Sequence, residues 1–353
     1  MRAAVFKGDG LVRLDDVTDP RIDSPDDVVI EVEACGICGT DLQILNVPPG
    51  HPATPGVVMG HEFIGRIASL GSDAAAGGLS VGQRVAVDPD PKCGVCRFCR
   101  AGRPANCENI QALGIFRNGA LARFAKAPAN AVFPFGDDPS SEVAALIEPL
   151  ACVVNGANRA NPRPGESAVI FGAGAIGCLF VAVFRAAGVS PIFVVEPTAA
   201  RRAVAKAVGA ERALAPDEFT ARRDELLPAG ADIVVDAVGS QFGSAIDSAA
   251  LGGRIVLFGQ NATVRPPVHQ YTITARSLTV MGTYITSFTF PQAIRMVEQG
   301  TLNLGPIVTH VLPLERLIEG LDLLRSGAAT KVVITPGPEH SAQHHEPVEP
   351  RGS

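Results

Sequence analysis

The chain has 353 residues, 46% of them hydrophobic and 19% charged, which is enough apolar material for two cores and too little charge for a largely disordered chain. A net charge of −6 offers no attraction to nucleic acid or to anionic lipid, so neither is expected as a partner. Met1–Phe6 shows no apolar stretch with a cleavage site, and the eight cysteines therefore point to metal sites in a cytoplasmic protein rather than to a disulfide framework.

In chain order, residues 1–150 are rich in Gly, Pro and short β-type runs such as Val28–Val32 and Gly82–Val87, a texture that predicts an antiparallel, barrel-like unit. The texture changes near Pro162–Gly165. Strands are then predicted at Ala168–Phe171, Ile192–Glu196, Asp232–Asp236 and Arg254–Phe258, alternating with helices at Ala175–Ala187, Ala199–Val208 and Phe242–Ala250. That rhythm predicts a parallel α/β sheet. Helical patterns at Pro291–Gln299 and Leu314–Arg325 and a strand at Lys331–Thr335 follow, and the Pro-, His- and Glu-rich segment from Pro336 to Ser353 is expected to be a disordered tail. The uncharged stretch Ser167–Phe184 is long enough to resemble a membrane span, but Gly172, Gly174 and Gly177 at its centre favour a buried strand, a turn and a buried helix.

Three motifs carry chemistry. Gly172-Ala-Gly174-Ala175-Ile176-Gly177 follows a predicted strand and opens a predicted helix, the context in which backbone N–H groups meet a dinucleotide pyrophosphate. Glu196 ends the next predicted strand, 19 positions after Gly177, a spacing that suits a carboxylate on the adenosine ribose and disfavours a 2′-phosphate, so NAD is expected over NADP. Arg201 and Arg202 stand nearby as counter-evidence, since arginines accept that phosphate. Cys93, Cys96, Cys99 and Cys107 place four thiols in one short loop, a set that closes around a structural zinc; a nucleic-acid-binding zinc module is the rival, and the absence of a basic stripe speaks against it. Cys38, His61, Glu62 and Glu148 together supply a thiolate, an imidazole and carboxylates, a mixture suited to a second zinc with an open position. Taken singly, Cys35-x-x-Cys38 also reads as a redox pair and His61 as a buried structural histidine.

The segments around Cys38, His61, the four-cysteine loop, Glu148 and the glycine turn stand in the order seen in the medium-chain zinc dehydrogenases, and the chain resembles their polyol branch, the sorbitol dehydrogenase-like enzymes, from the N-terminus to about Pro336. The resemblance implies a GroES-like, β-rich catalytic domain over 1–155, completed by 288–336, around a Rossmann doubly wound parallel sheet over 156–287. It implies two Zn2+ per subunit, hydride transfer between a nicotinamide cofactor and a secondary alcohol or ketone such as a polyol, a cyclitol or a related sugar-derived or amino alcohol, and a homodimer or homotetramer. Cys38 and His61 match the catalytic ligands, with Glu62 or Glu148 as the third and Cys152 as an alternative thiolate. Asp41 matches the acid that orients His61, Thr40 the hydroxyl that takes the substrate proton, and Arg201 joins the cofactor residues. Two departures stand out: Gln43 replaces the histidine at the outer end of the proton relay, and Ile285-Thr286 replace an Arg-Tyr pair. The second departure predicts a less polar wall, with Phe116, Phe124 and Tyr284 as its candidates, and makes simple hydrophobic secondary alcohols the alternative substrates. A non-catalytic relative would break the Cys38, His61 and Glu62 set, which is intact.

Overall fold

A computed structural model of the protein describes residues 1–336; the expected disordered tail, 337–353, lies outside the described residues. Two sheets organise the chain. The first is a seven-stranded mixed sheet ordered Val308–Pro313, Lys331–Thr335, Asp27–Gly36, Glu62–Leu70, Arg84–Val87 and Val132–Pro134, with Phe124–Pro128 also paired to Asp27–Gly36. The expected strands at Val28–Val32 and Gly82–Val87 are its central members. Two of its strands come from the end of the chain, so the sheet that begins with residue 27 is finished only by residue 335.

The second sheet has six parallel strands in the order Arg212–Leu214, Ile192–Val195, Ala168–Phe171, Ala231–Asp236, Ala249–Leu257 and Thr279–Gly282. Strand order reverses between Ala168–Phe171 and Ala231–Asp236, and such a reversal opens a crevice at the carboxyl ends of the strands. Alternation sorts the side chains onto two cores. Ala168, Ile170, Ile192, Val194, Ile233 and Val235 face the helices Ile147–Ala160 and Ala175–Ala186. Val169, Phe171, Phe193, Val195 and Val234 face Phe219 and Ala245 on the helices of the other side. The stretch Ser167–Phe184 is thus a buried strand and helix, and no described helix is long and apolar enough to cross a membrane.

Most predicted elements lie within a residue or two of their expected limits. Two differ for physical reasons, the strand expected at Val28–Val32 runs on to Gly36, and one helix has no predicted counterpart. Leu314–Arg325 starts as a 3-10 turn, Leu314–Arg316, before the α-helix Leu317–Arg325, because Pro313 fixes the entry. The strand expected at Arg254–Phe258 begins at Ala249, its apolar pattern hidden by Gly252 and Gly253. Ile147–Ala160 is a long helix with Pro149 in its first turn, where the missing N–H has no intrahelical acceptor to lose. Asn161 ends it in the left-handed region at φ 48°.

Phe180 is the hub joining this helix to the parallel sheet. Its ring meets Phe184 at 5.5 Å and Phe258 edge-on at 5.4 Å. Gly156 lets it approach, since a Cβ there would come within 2.9 Å of the ring. Truncating so large a buried ring removes its transfer energy and leaves a cavity. Phe180→Ala is therefore expected to destabilise the protein by roughly 3–5 kcal/mol, read as a fall in the denaturant midpoint; a midpoint unchanged within error would show that this contact is not a packing hub.

Candidate active site

The site lies where neighbouring strands of the mixed sheet end. Asp27–Gly36 leads through Ile37 to Cys38, and Glu62 begins the adjacent strand with His61 immediately before it. Gly36 pairs with both Glu62 and Val333. Ligand atoms of Cys38, His61 and Glu62 lie within 4.8 Å of one another, with His61 6% and Glu62 2% exposed. Asp41, on the helix Gly39–Ile44, accepts the Cys38 N–H at Oδ2 (2.9 Å) and turns Oδ1 to His61 Nδ1 at 3.6 Å. Thr40 stands half-buried on the same helix.

The electrostatics of this set favour a cation. Burial pulls the His61 imidazole towards neutrality, but Asp41, Cys38 and Glu62 outweigh it and hold its pKa well above the usual value. Glu148, at the start of Ile147–Ala160, is pushed up to about 8, by burial first and then by Glu62, Asp90 and Asp88 against the pull of His61. Cys152 donates its Sγ–H to Glu148 Oε1 at 3.5 Å. Burial first, and then Glu148, raises the Cys152 thiol well above its ordinary range. Asp41 Oδ1 and His61 Nδ1 are sealed from solvent without a hydrogen bond among the described residues. Soft sulfur, imidazole and carboxylate around a shortage of positive charge fit a zinc ion. The redox reading of Cys35 and Cys38 does not fit: Cys35 is fully buried, and burial first, with Asp41 and Glu62, drives its thiol well above the ordinary range.

Lys331 was not legible as a site residue. It is 2% exposed, donates to the Ile37 carbonyl at 3.0 Å and pairs with the Glu62 carboxylate. A Cβ at Gly36 would come within 2.7 Å of Lys331 Cε, so this close packing needs glycine there. Asp88, Asp90 and Lys92 follow the strand Arg84–Val87, which pairs with Glu62–Leu70 and so leads past Glu62. Asp88 accepts the Thr286 hydroxyl at 2.9 Å and pairs with Lys92 at 3.3 Å. Thr286, 1% exposed, is therefore buried in a charged network. Of the aromatic candidates, Tyr284 does stand here, and its phenol pKa is raised by burial first and then by Asp90 and Cys152. Phe116 packs near His51 at a ring distance of 6.4 Å. Phe124 lies in the groove beside Met1 and Val17, which none of Cys38, His61 or Glu62 lines.

The four-cysteine loop is equally compact. Sγ atoms of Cys93, Cys96, Cys99 and Cys107 all lie within 4.8 Å, and all are free thiols. Backbone N–H groups of Cys96, Cys99 and Asn109 donate to Cys93, Cys96 and Cys107 sulfurs at 3.4 Å each. Such N–H···S bonds favour thiolates, and Asn109 with the Cys96 backbone takes Cys93 down to about 6.

At the crevice, Gly172 takes φ +96°, which an L side chain rarely adopts, and a Cβ on Gly174 would meet nothing within 4 Å. Gly177 packs its bare Cα against the Gly172 carbonyl. The helix that begins at Ala175 leaves the N–H groups of Ala175, Ile176 and Gly177 without intrahelical acceptors. Beside this turn lies a cavity of about 740 Å³ lined by Gly172, Gly174, Glu196, Arg201, Arg223 and Arg325 among others. Glu196 is 4% exposed and clamps the turn, accepting from Ala173 and Thr198 N–H groups at 2.9 Å each. Arg201 lines the cavity, but its guanidinium is committed to the Ala329 and Leu324 carbonyls. Arg202 donates to the Glu196 and Pro197 carbonyls. Gln43 Nε2 donates to the Gln260 carbonyl at 2.8 Å, a bond across the cleft between the two sheets.

Comparison with known proteins agrees with this geometry. Residues 24–137 match the alcohol dehydrogenase GroES-like domain, and residues 175–299 match the zinc-binding dehydrogenase family. The chain is 33% identical to a D-altritol 5-dehydrogenase of Agrobacterium fabrum, covering 88% of this chain and 92% of that one. It is 34% identical to an L-threonine 3-dehydrogenase of Stenotrophomonas maltophilia over the same shares. A zinc-binding dehydrogenase from Sinorhizobium meliloti, solved bound to NADP, superposes with a TM-score of 0.88 at 29% identity, covering 95% of this chain and 99% of that one. The chain belongs to the zinc-binding alcohol dehydrogenase family, whose members are GroES-like and Rossmann-type NAD(P)-dependent oxidoreductases acting on CH–OH groups.

Proposed function

We propose that this enzyme oxidises a secondary alcohol on a polyhydroxylated carbon skeleton, with NAD as the preferred cofactor, in a cytoplasmic homodimer or homotetramer that binds neither nucleic acid nor membrane. The observation that carries the reading is the convergence of Cys38, His61 and Glu62 in a buried set, with the adjacent strand Arg84–Val87 leading past it into Asp88, Asp90 and Lys92. A neutral substrate with several hydroxyls brings a donor for the Asp90 carboxylate, which has no hydrogen-bond partner among the described residues, whereas a hydrophobic alcohol brings none. The relative named for altritol points the same way. In this reading residues 1–155 and 288–336 form the catalytic domain, and 156–287 the cofactor domain.

Cys38, His61 and Glu62 would hold one zinc, with Glu148 close by, and Cys93, Cys96, Cys99 and Cys107 a second, structural one. When bound, the metal at the first site supplies Lewis-acid polarisation, and the nicotinamide supplies a hydride acceptor. The chain's own residues do the rest. Asp41 fixes the orientation of His61 through its Nδ1 face. Thr40 takes the substrate hydroxyl proton and passes it outward. With Gln43 in place of a histidine and bonded to Gln260, solvent is the terminal acceptor. Gly172, Gly174, Ala175, Ile176 and Gly177 cradle the pyrophosphate, and Glu196 meets the ribose with the lone pairs that Ala173 and Thr198 leave free.

The substrate assignment is tested by comparing kcat/KM for C4–C6 polyols with that for simple secondary alcohols of equal length. Polyols are expected to win, and an advantage of more than about tenfold for the simple alcohols, ~1.4 kcal/mol in transition-state binding, would replace this reading with its alternative. Metal analysis of Cys99→Ser should show about one zinc lost per subunit together with poor solubility; full metal content would sink the four-thiolate assignment. For the cofactor, Arg201 and Arg202 are occupied with backbone carbonyls, which leaves the Glu196 charge to repel a 2′-phosphate. Efficiency with NAD is therefore expected to exceed that with NADP by at least about tenfold, ~1.4 kcal/mol, and equal or better turnover with NADP would overturn the preference.

A further inference from the structure

Asp88 and Asp90 sit two residues apart beyond the strand Arg84–Val87, yet their circumstances differ. Asp88 is compensated, by Lys92 at 3.3 Å and the Thr286 hydroxyl at 2.9 Å. Asp90 is only 6% exposed, and its carboxylate forms no hydrogen bond and no ion pair among the described residues. Lys92 reaches the Asp90 backbone carbonyl, not its carboxylate. The Asp90 oxygens are also not among the atoms sealed from solvent without a partner, as Asp41 Oδ1 is. The strand Arg84–Val87 pairs with Glu62–Leu70, Ala86 opposite Ile64, so the chain that leaves it carries Asp88 and Asp90 past the end where Glu62 and His61 stand. Burial pushes the Asp90 carboxyl up to about 6, against the pull of Lys92.

A nearly buried carboxylate without a partner costs several kcal/mol unless something supplies a donor. Nothing in the chemical step or the metal sets calls on Asp90. The lysines that could answer it are engaged elsewhere, Lys92 with Asp88 and Lys331 with Glu62. Among the described residues no donor remains, so solvent, or a molecule that displaces it, supplies one.

We propose that Asp90 is a specificity-determining residue: it accepts a hydrogen bond from a second hydroxyl of the substrate, near the reacting carbinol, and excludes substrates carrying a carboxylate or phosphate at that end. The inference rests on the polyol reading and narrows it to neutral polyols. A polyol brings the missing donor. A simple secondary alcohol leaves Asp90 buried and unpaired, and an anionic polyol sets a like charge against it. An ammonium at the same place would also satisfy the carboxylate, so an amino alcohol forms a separate arm of the test.

The experiment measures kcat/KM of the zinc- and NAD-loaded wild type, Asp90→Asn and Asp90→Ala on four substrates. These are the best C4–C6 polyol, its terminal phosphate, the simple secondary alcohol of equal length and the amino alcohol of that length. In Asp90→Ala the polyol-to-simple-alcohol ratio is expected to fall by at least tenfold, ~1.4 kcal/mol. In Asp90→Asn discrimination against the phosphate should shrink by a similar factor. The rise in Tm that the polyol produces on the NADH complex should be lost in both variants, a readout independent of turnover. A wild type that prefers the simple alcohol overturns the polyol reading. A ratio and a polyol-induced Tm shift that Asp90→Ala leaves unchanged overturn the role of Asp90, whichever substrate the wild type prefers. If Asp90→Ala does not fold, Asp90→Asn and the wild-type phosphate arm decide: a phosphate used as well as its parent polyol overturns the proposal. An amino alcohol that outperforms the polyol in wild type, and loses that lead in Asp90→Asn, overturns the neutral-polyol assignment.

Discussion

A carboxylate withdrawn from water must be given a counter-charge, and for Glu62 that counter-charge comes from Lys331, at the far end of the described chain. Removing either partner would strand a buried ion at a cost of about 3–5 kcal/mol. The pair therefore constrains what surrounds it. Gly36 must lack a side chain, because Glu62 and Lys331 occupy the space a Cβ would take. Lys331–Thr335 must pair with Asp27–Gly36 in the register that sets Val333 opposite Gly36. Once that register holds, Cys38 and His61 lie at neighbouring strand ends, close enough to share an ion. The chemistry of the site is thus tied to the pairing of the sheet, not only to the residues that touch a metal.

The motifs that could be read from the chain are those whose residues act within one short segment. The glycine turn depends on a strand, a bend and a helix in direct succession, and it has its expected form from Ala168 to Ala186. The four cysteines fall within one loop, and their sulfurs converge as the spacing implies. Cys38, His61 and Glu62 came from a resemblance that carries tertiary information. Where an interaction joins distant segments, no local pattern announced it. Lys331 looked like the first residue of a strand, because its partner lies 269 positions away. Asp88 and Asp90, alternating with prolines, match no site motif. Thr286 looked like a loss of polarity because a hydroxyl is smaller than the groups it replaces, yet it serves by bonding Asp88. The helix Ile147–Ala160 opens on Glu148-Pro149, a pair that reads as a turn, although Pro is tolerated in a first turn.

The two sheets meet through polar bonds as well as packing. Arg201 ties the cofactor side to the Leu324 and Ala329 carbonyls, Gln43 reaches Gln260, and Asn155 donates to the Ile285 and Tyr284 carbonyls. Hydrogen bonds of this kind contribute about 0.5–1.5 kcal/mol each, a scale on which cofactor and substrate contacts compete. The cleft is consequently held by ties that ligands can reinforce or exchange, while Phe180 and its aromatic neighbours keep the parallel sheet itself rigid. Arg201 illustrates the point: a residue that lines the cavity beside the glycine turn is also a strut between the halves.

The returning strand also bears on how the protein is made. A ribosome releases the parallel sheet, residues 168–282, as one uninterrupted stretch that can pair with itself as it emerges. The mixed sheet has no such freedom. Its central strand, Asp27–Gly36, pairs early with Glu62–Leu70 and Phe124–Pro128, but its Cys35–Gly36 end waits for Lys331–Thr335, on which Val308–Pro313 in turn pairs, and pairings of such long sequence separation are slow to form. Throughout that interval Glu62 has no cation beside it and the strand edge is a hazard for association with other nascent chains. Cys38 and His61 are accordingly set beside a complete sheet only late in the life of the polypeptide, whereas the four-cysteine loop is complete by Cys107, while most of the chain is still to be translated.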